Sequence, residues 1–392
     1  MIALTQVPLR LLVTCLDGGR IPLNREERSA MQGSIPYWGA GNVVDWVNRP
    51  LFHETLILLG EDGAPFFDPT RSVAFVVDEP VWVNNHIHVL RPGPLVDPKF
   101  LSLALNCVDF SAYITGATRD KLTQEDMNSI RVPLPSLEEQ RRIADFLDDQ
   151  VTRIENIIAA RKQQLHLARE EWSAQVDQRM NGGVFERIAL RRLLERPPDY
   201  GANEGAEFDN PDWPRYIRTT DVDSRGALRP ETFRSLPPSV AAPYLLRDGD
   251  LLFTRSGSVG KSFLYHSRWG AAAFAGYLIR LRPNRAAVLP EWIRLFTVTP
   301  GYWRQIAESS IQATISNVNA EKYSSIVIPT PGVQMQKKLV GELMRLEASE
   351  RQVASGLTDS ISLLVEFKRS LISAAVSGEF DVSSASGRGV PA

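Results

Sequence analysis

The run Asp248-Gly249-Asp250-Leu251-Leu252-Phe253-Thr254-Arg255-Ser256-Gly257-Ser258-Val259-Gly260-Lys261-Ser262 closes on the Gly-Lys-Ser that ends a phosphate-binding loop. Such a loop requires a further glycine five residues before Gly260, where the backbone must approach the phosphates closely. Arg255 occupies that position, and Phe263-Leu264-Tyr265 reads as a strand rather than as the helix a nucleotide loop opens. The segment is therefore predicted to be a β-turn that presents Arg255, Ser256, Ser258 and Lys261. Those side chains suit contact with a nucleic-acid backbone, and an arginine can also bridge O6 and N7 of guanine.

A second polar cluster is Asn84-Asn85-His86-Ile87-His88. Alternation along a strand would put His86 and His88 on one face, which could start a metal site. No third ligand stands nearby in sequence, so no metal is expected. The default is a polar strand in which Asn85 and His86 can donate to bases or phosphates. No catalytic set emerges: the chain has no Gly-x-Ser-x-Gly elbow, no His-Glu-x-x-His and no Gly-x-Gly-x-x-Gly after a strand. It also lacks the Asn/Asp-Pro-Pro-Tyr/Phe motif that holds a target adenine in amino-methyltransferases, which Asn48-Arg49-Pro50-Leu51-Phe52 echoes only loosely.

The elements that must position these residues are announced by an internal repeat. Residues 117–140 return at 313–336, with eight identities in 24 ungapped positions at a constant offset of 196. The identities are Ala117, Thr118, Glu125, Ser129, Ile130, Pro133, Pro135 and Gln140, against Ala313, Thr314, Glu321, Ser325, Ile326, Pro329, Pro331 and Gln336. A duplicated chain suits a target that has two halves. Before each copy lie short apolar or alternating runs bounded by Gly, Pro, Asp and Asn, such as Thr55–Leu59, Val73–Val77 and His86–Leu90, with Pro98–Cys107 reading as a short helix. Each copy ends in an extended two-proline element, because neither proline can donate a backbone N–H and each disfavours helix just before it.

After each proline element the pattern turns helical. Ser136 and Glu139 have capping-box spacing, and nothing between Leu137 and Met180 is Pro or Gly. Leu147, Val151, Ile154, Ile158, Leu165, Ala168 and Trp172 form one narrow seam, interrupted at Arg161. A helix of about 43 residues is roughly 65 Å long, more than a globular core needs, so a coiled-coil-like helix is expected. A second runs from about Val333 to Val376. Its predicted seam is Leu343, Leu346, Val353, Leu357, Leu364, Phe367, Leu371 and Ala374, with Gly356 as a weak point. The two seams most simply bury each other.

Composition bounds the rest. A chain of 392 residues with 43% hydrophobic and 23% charged residues has room for two or three globular domains. Cys15 and Cys107 stand far apart, no basic N-terminal region precedes an apolar core, and no apolar run approaches membrane-spanning length. A reducing cytoplasm fits. The net charge of −2 hides an uneven distribution: Trp213 to Arg304 holds 14 Lys/Arg against 6 Asp/Glu, whereas Arg20 to Lys121 holds 9 against 12. A basic face on the second domain is the expectation.

Ile130-Arg-Val-Pro-Leu-Pro-Ser-Leu-Glu-Glu-Gln-Arg-Arg-Ile143, leading into a long helix, resembles the conserved region of the specificity subunits of type I restriction–modification systems. Gly33–Gly41, Trp82–Pro92, Asp248–Gly260 and Leu371–Phe380 look like further parts of that family's pattern, so the likeness covers nearly the whole chain. Thr330 and Met335 depart from its usual Leu and Glu. The resemblance implies an α+β fold: two target-recognition α/β domains in tandem repeat, separated by two long antiparallel helices that form a coiled-coil spacer. The divisions are 1–135 and 182–331 for the recognition domains, 136–181 and 332–378 for the spacer helices, and 379–392 for a disordered tail. It implies a non-catalytic subunit that reads a bipartite, asymmetric target in double-stranded DNA and directs adenine-N6 methylation and restriction by its partners. Two methyltransferase (modification) subunits would bind S-adenosylmethionine, and restriction (translocase/nuclease) subunits would bind ATP and Mg. This chain would bind no cofactor or metal and no membrane.

Within that scheme the candidate DNA contacts are Tyr37, Asn85 and His86 in the first domain. Arg218, Arg255, Ser256, Lys261 and Arg268 are those in the second. Leu147, Ile154, Ile158 and Leu165 are expected to pack against Leu346, Val353, Leu357 and Leu364. The alternative from another class is a coiled-coil scaffold with two protein-binding domains, which would show no preference among DNA sequences. The purified chain supplied with ATP and Mg is expected to show no nucleotide turnover. Sustained turnover that Lys261→Ala abolishes would contradict the β-turn reading of 248–262.

Overall fold

The computed structural model describes residues 4–68, 70–114, 120–223, 226–310 and 318–382, the side chains at 309 and 310 excepted. The chain divides into two compact units, Met1–Lys162 with Thr358–Ala392, and Gln163–Leu357.

In the first unit the apolar run Leu56–Gly60 becomes the wholly buried centre of a four-stranded sheet. It pairs antiparallel with Ala74–Val77 on one side and Ile87–Pro92 on the other, and Val13–Cys15 adds beyond the latter. Three further strands, Val43–Val47, Gln32–Trp38 and Trp82–Val83, make a smaller sheet whose last pair is parallel. The helix Pro98–Asn106 starts at Asp97, whose side chain accepts from the Phe100 N–H, with Pro98 in the first turn where its missing N–H costs nothing. It buries Phe100, Leu101, Ala104 and Leu105.

The second unit repeats this plan. Its sheet order is Asp199–Tyr200, Leu278–Leu281, Leu251–Thr254, Ser262–Leu264, matching the first strand for strand. The parallel pair Arg215–Ile217 with Ala272–Phe274 answers Gln32–Trp38 with Trp82–Val83. Helix Pro290–Phe296 stands where Pro98–Asn106 stood.

The repeat found in the sequence is a structural hinge. Helices Gln124–Ser129 and Ala320–Ser325 fall at the 196-residue offset and are capped by Thr123 and Asn319. The proline strands Arg131–Pro133 and Val327–Thr330 then pair antiparallel with Gln6–Pro8 and Glu186–Ala189, two-stranded ladders that can leave a proline unpaired. The outermost identities, Ala117 and Thr118 with Ala313 and Thr314, lie outside the described residues.

Gln140 and Gln336 close each hinge in the same way. Both are wholly buried. Gln140 Oε1 accepts from the Asp97 N–H at 2.8 Å, and its amide nitrogen donates to Leu95 O and Pro135 O at 3.1 and 2.9 Å. Gln336 Oε1 accepts from the Leu289 N–H at 2.8 Å, and its amide nitrogen donates to Ala287 O and Pro331 O at 3.1 and 2.7 Å. Each amide thus ties the first turn of a long helix to the loop that enters the domain's packed helix.

The long helices are Leu137–Asn181 and Val333–Ser377, 45 residues each. Ser136 Oγ accepts from the Glu139 N–H at 3.2 Å, as the cap predicted. In the first unit the beginning of one helix packs on the end of the other. Phe146 stacks near Phe380 at 5.7 Å and Glu155 meets Lys368 at 3.2 Å, so the segments run antiparallel. In the second unit Trp172, Val176 and Met180 join a core with Leu343, and Leu339 and Leu346 pack against it.

In the first seam Leu147, Ile154 and Ile158 are buried and Leu165 is half-buried. The second needs a correction. Leu346, Leu357 and Leu364 are half-buried, but Val353 and Phe367 are exposed at 53% and 57%. The seam holds strict heptads instead, one row through Leu343, Leu357, Leu364 and Leu371, the other through Glu347, Ala354, Ile361 and Ala375. Position in the heptad outweighs bulk, so small Ala354 takes the place expected for Val353. Burial pushes the Glu347 carboxyl up, but hydrogen bonds and charge from Arg294, at 2.6 and 2.8 Å, with Arg351, hold it below the usual range.

Replacing either glutamine by leucine leaves buried backbone donors and acceptors unpaired. We expect Gln140→Leu and Gln336→Leu each to cost about 2–4 kcal/mol in denaturant unfolding of the full chain. A cost within 0.5 kcal/mol, roughly the scale of a neutral surface change, would contradict the clamp.

Candidate nucleic-acid interface

The segment Asp248–Ser262 is a hairpin: Leu251–Thr254 pairs antiparallel with Ser262–Leu264, and only the short 3-10 turn Ser267–Trp269, no α-helix, follows before the next strand. Its loop turns through Gly257 and Gly260, both at positive φ. Two buried tyrosines hold the loop. Tyr323 donates to Thr254 O at 2.6 Å and accepts from the Gly260 N–H at 3.1 Å, while Tyr302 donates to Gly260 O at 2.6 Å. Burial raises both phenols well above their ordinary range, so they stay protonated donors.

Arg255 is fixed along its whole length. Its N–H donates to Tyr277 O at 3.0 Å, its carbonyl accepts from Val318 N–H at 3.1 Å, and its guanidinium lies over the Tyr200 ring at 4.9 Å. Tyr200 is itself tied down, its hydroxyl accepting from the Ala320 N–H at 3.1 Å. Around the loop stand three exposed aromatics, Tyr200, Tyr277 and Trp303, the most open being Tyr277 at 67%. Ser256 is half-buried on the same turn and Lys261 is exposed.

The basic excess of the second domain separates into two populations. Arg280, Arg282, Arg285 and Arg294 pair with Asp199, Asp250, Asp248 and Glu347, which makes them structural. Arg218 joins them, a correction to its expected place in the interface: it grips the wholly buried Asp221 bidentately at 2.7 and 2.9 Å and donates to Thr232 O. That bond to Asp221 raises its pKa. Among the described residues, Arg255, Lys261 and Arg268 hold no ion pair with a carboxylate. Arg268 lies exposed over Trp269 at 5.3 Å.

The first domain differs at the equivalent places. Tyr37 is 0% exposed and its hydroxyl bonds to the Leu23 backbone at 3.0 and 3.3 Å, so it packs the core and cannot touch DNA in this conformation. Asn85 is exposed and His86 half-buried, 3.3 Å from Asp62. They occupy the turn that matches Gly276–Tyr277, because Glu61 N–H donates to His86 O as Arg255 N–H donates to Tyr277 O. The expectation that His86 and His88 share a face fails. His86 precedes the strand, while His88 is buried with Nδ1 2.7 Å from Asp17 and Nε2 3.0 Å from Leu122 O.

Asp17, Glu61 and His88 bring ligand atoms within 4.8 Å of one another, a spacing a metal could use. The residues do not favour one. Both His88 nitrogens face acceptors, Arg20 donates to Glu61 at 2.5 Å, and Lys121 lies 3.4 Å from the same carboxylate. Side-chain cations already fill the role a metal would take.

Comparison with known proteins points to one family. The model of the type I restriction modification DNA specificity domain matches residues 12–167. A type I restriction enzyme specificity subunit of Haemophilus influenzae is 24% identical over 367 residues, spanning 89% of each chain. The EcoKI specificity subunit of Escherichia coli is 24% identical over 325 residues, 74% of this chain and 67% of that one. The chain is thus similar to type I specificity subunits over most of its length. A chain from a solved type I R-M system shares the fold, with a TM-score of 0.68 at 13% identity over 97% of this chain and 99% of that one. Specificity subunits supply DNA sequence recognition and are not themselves catalysts. None of the described helices is long and apolar enough to cross a membrane.

The two populations of basic side chains predict opposite phenotypes. Arg218→Ala strands a buried carboxylate and is expected to destabilise the chain by about 3 kcal/mol. Lys261→Ala should change stability by less than about 0.5 kcal/mol. It should weaken DNA binding at all sequences and lower the salt slope by about one. Calorimetry and salt-dependent gel shifts check both, and the reverse pattern would contradict the assignment.

Proposed function

We propose that each globular domain of this specificity subunit reads one half of an interrupted, asymmetric DNA target, and that the long helices set the distance between the halves. The observation that carries this reading is the duplication itself. Both domains share one strand order and one hinge, yet equivalent positions carry unlike side chains, Glu61 against Arg255 and His86 against Tyr277, as two unlike half-sites require. Tandem domains of one fold match the quasi-two-fold repetition of the DNA backbone. Arg255, Lys261 and Arg268 in the second domain, with Ser256 beside them, and Asn85 and His86 in the first, are the proposed contacts.

The catalytic work falls to partners in this scheme. Two modification subunits would bring S-adenosylmethionine and methylate adenine N6, and restriction subunits would bring ATP, Mg and the nuclease, all in the cytoplasm. The specificity chain contributes shape, charge and base contacts, and needs no cofactor for that role. Interspersing charge so that phosphate contacts position and a few side chains specify is the ordinary division of labour on DNA.

Insertion of four residues near Ile158 adds about one helical turn, roughly 6 Å. In cells making the complete complex, the methylated motif is expected to keep both halves and change the gap between them. An unchanged gap with the complex intact would contradict the spacing role.

A further inference from the structure

The two domains place opposite charges at one backbone position. In the first, Glu61 N–H donates to His86 O and its carbonyl accepts from Leu122 N–H; in the second, Arg255 N–H donates to Tyr277 O and its carbonyl accepts from Val318 N–H. Leu122 and Val318 are themselves related by the 196-residue offset of the hinge. Just past the adjoining strand Val13–Cys15, Asp17 opens a short 3-10 turn and bonds the side chain of His88, whereas Tyr200 lies on the equivalent strand and pairs in register with Ile279. His88 and Ile279 face equivalent residues of the central strand, Leu59 and Phe253.

Surroundings decide what each charge can do. Glu61 is sealed by Arg20, Lys121 and His88, so its oxygens are spoken for. Arg255 has no carboxylate among the described residues and instead lies on the Tyr200 ring. The Tyr200 ring supports the guanidinium at 4.9 Å, and among the described residues no acceptor takes its N–H edge. A planar fork held in place is what a pair of acceptors at fixed separation selects, and guanine offers such a pair in O6 and N7.

We propose that Arg255, oriented by Tyr200, reads a guanine in the half-site bound by residues 182–331, and that the sealed Glu61 position of the first domain reads no base. Arg255 is the contacting residue and Tyr200 a positioning residue. Tyr277, open beside them, borders the contact. This rests on the DNA-reading role proposed above, and the following experiment separates the two.

The full chain, reconstituted with modification subunits, selects from a randomised duplex library. Wild type is expected to select an interrupted motif with an invariant guanine in one half. Arg255→Ala and Arg255→Lys should return the same motif with that single position degenerate, discrimination there falling roughly 5- to 150-fold. Lysine keeps the charge and loses the fork, so it isolates base reading from phosphate attraction. Tyr200→Phe keeps the ring and should keep the guanine, whereas Tyr200→Ala should lower discrimination roughly two- to fivefold without weakening binding to unrelated DNA. Glu61→Gln should leave the motif unchanged.

A uniform loss across sequences in Arg255→Ala, with full specificity retained in Arg255→Lys, would make Arg255 a phosphate contact and overturn the proposal. So would an unaltered motif in both variants. Relaxation of the other half-site by Glu61→Gln would overturn the silence assigned to the first domain. If wild type selects no motif, the DNA-reading role fails along with the guanine contact.

Discussion

A buried amide that must find three partners organises each half of this protein. Gln140 and Gln336 sit where a two-proline strand turns into a long helix, wholly screened from water. An unpaired amide there would be expensive, so its position, the preceding proline carbonyl and the entry loop of the packed helix are mutually fixed. In the second unit the chain of constraint continues to the reading loop. Tyr323, from the hinge helix Ala320–Ser325, bonds both ends of the turn that carries Arg255. The side chain proposed to touch DNA is thereby connected, through hydrogen bonds and packed core, to the start of the helix.

Duplication preserved the backbone and released the surface. The hydrogen bonds that hold Glu61 and Arg255 correspond one for one, while the charges are opposite and the neighbours entirely changed. Core positions cannot drift so freely, because packing at interior density penalises even small changes of volume. Base-reading positions need only a rigid frame beneath them. The tyrosines illustrate the division: Tyr37 and Tyr216 pack beneath the parallel strand pairs as interior supports, while Tyr200 and Tyr277 face the solvent beside the loop.

Much of the frame was legible in the chain itself. Prolines that cannot continue a helix marked the hinges, and heptad spacing marked the seams even where Val353 and Phe367 misled by their bulk. The recurrence of Gln140 at Gln336 was visible, but its purpose depends on loops far from it in sequence. The reading site was legible only in part. Counting charge treated Arg218 and Arg255 alike, although Arg218-Thr-Thr-Asp221 already offered a partner three residues away. Tyr200 is not marked by any local pattern, since it meets Arg255 from 55 positions earlier in the chain. Sequence locates rigid elements well because their rules are local. It locates sites poorly because what frees or binds a charge is a long-range partner.

The central claim is that two unlike domains on one duplicated frame read two unlike halves of one target. Sequencing of modified adenines in cells that carry this chain with its modification subunits tests it most directly. The account predicts a single motif of two different half-sites separated by a constant unread gap, absent when the chain is removed. A contiguous or palindromic motif, or methylation unchanged by removing the chain, would contradict it.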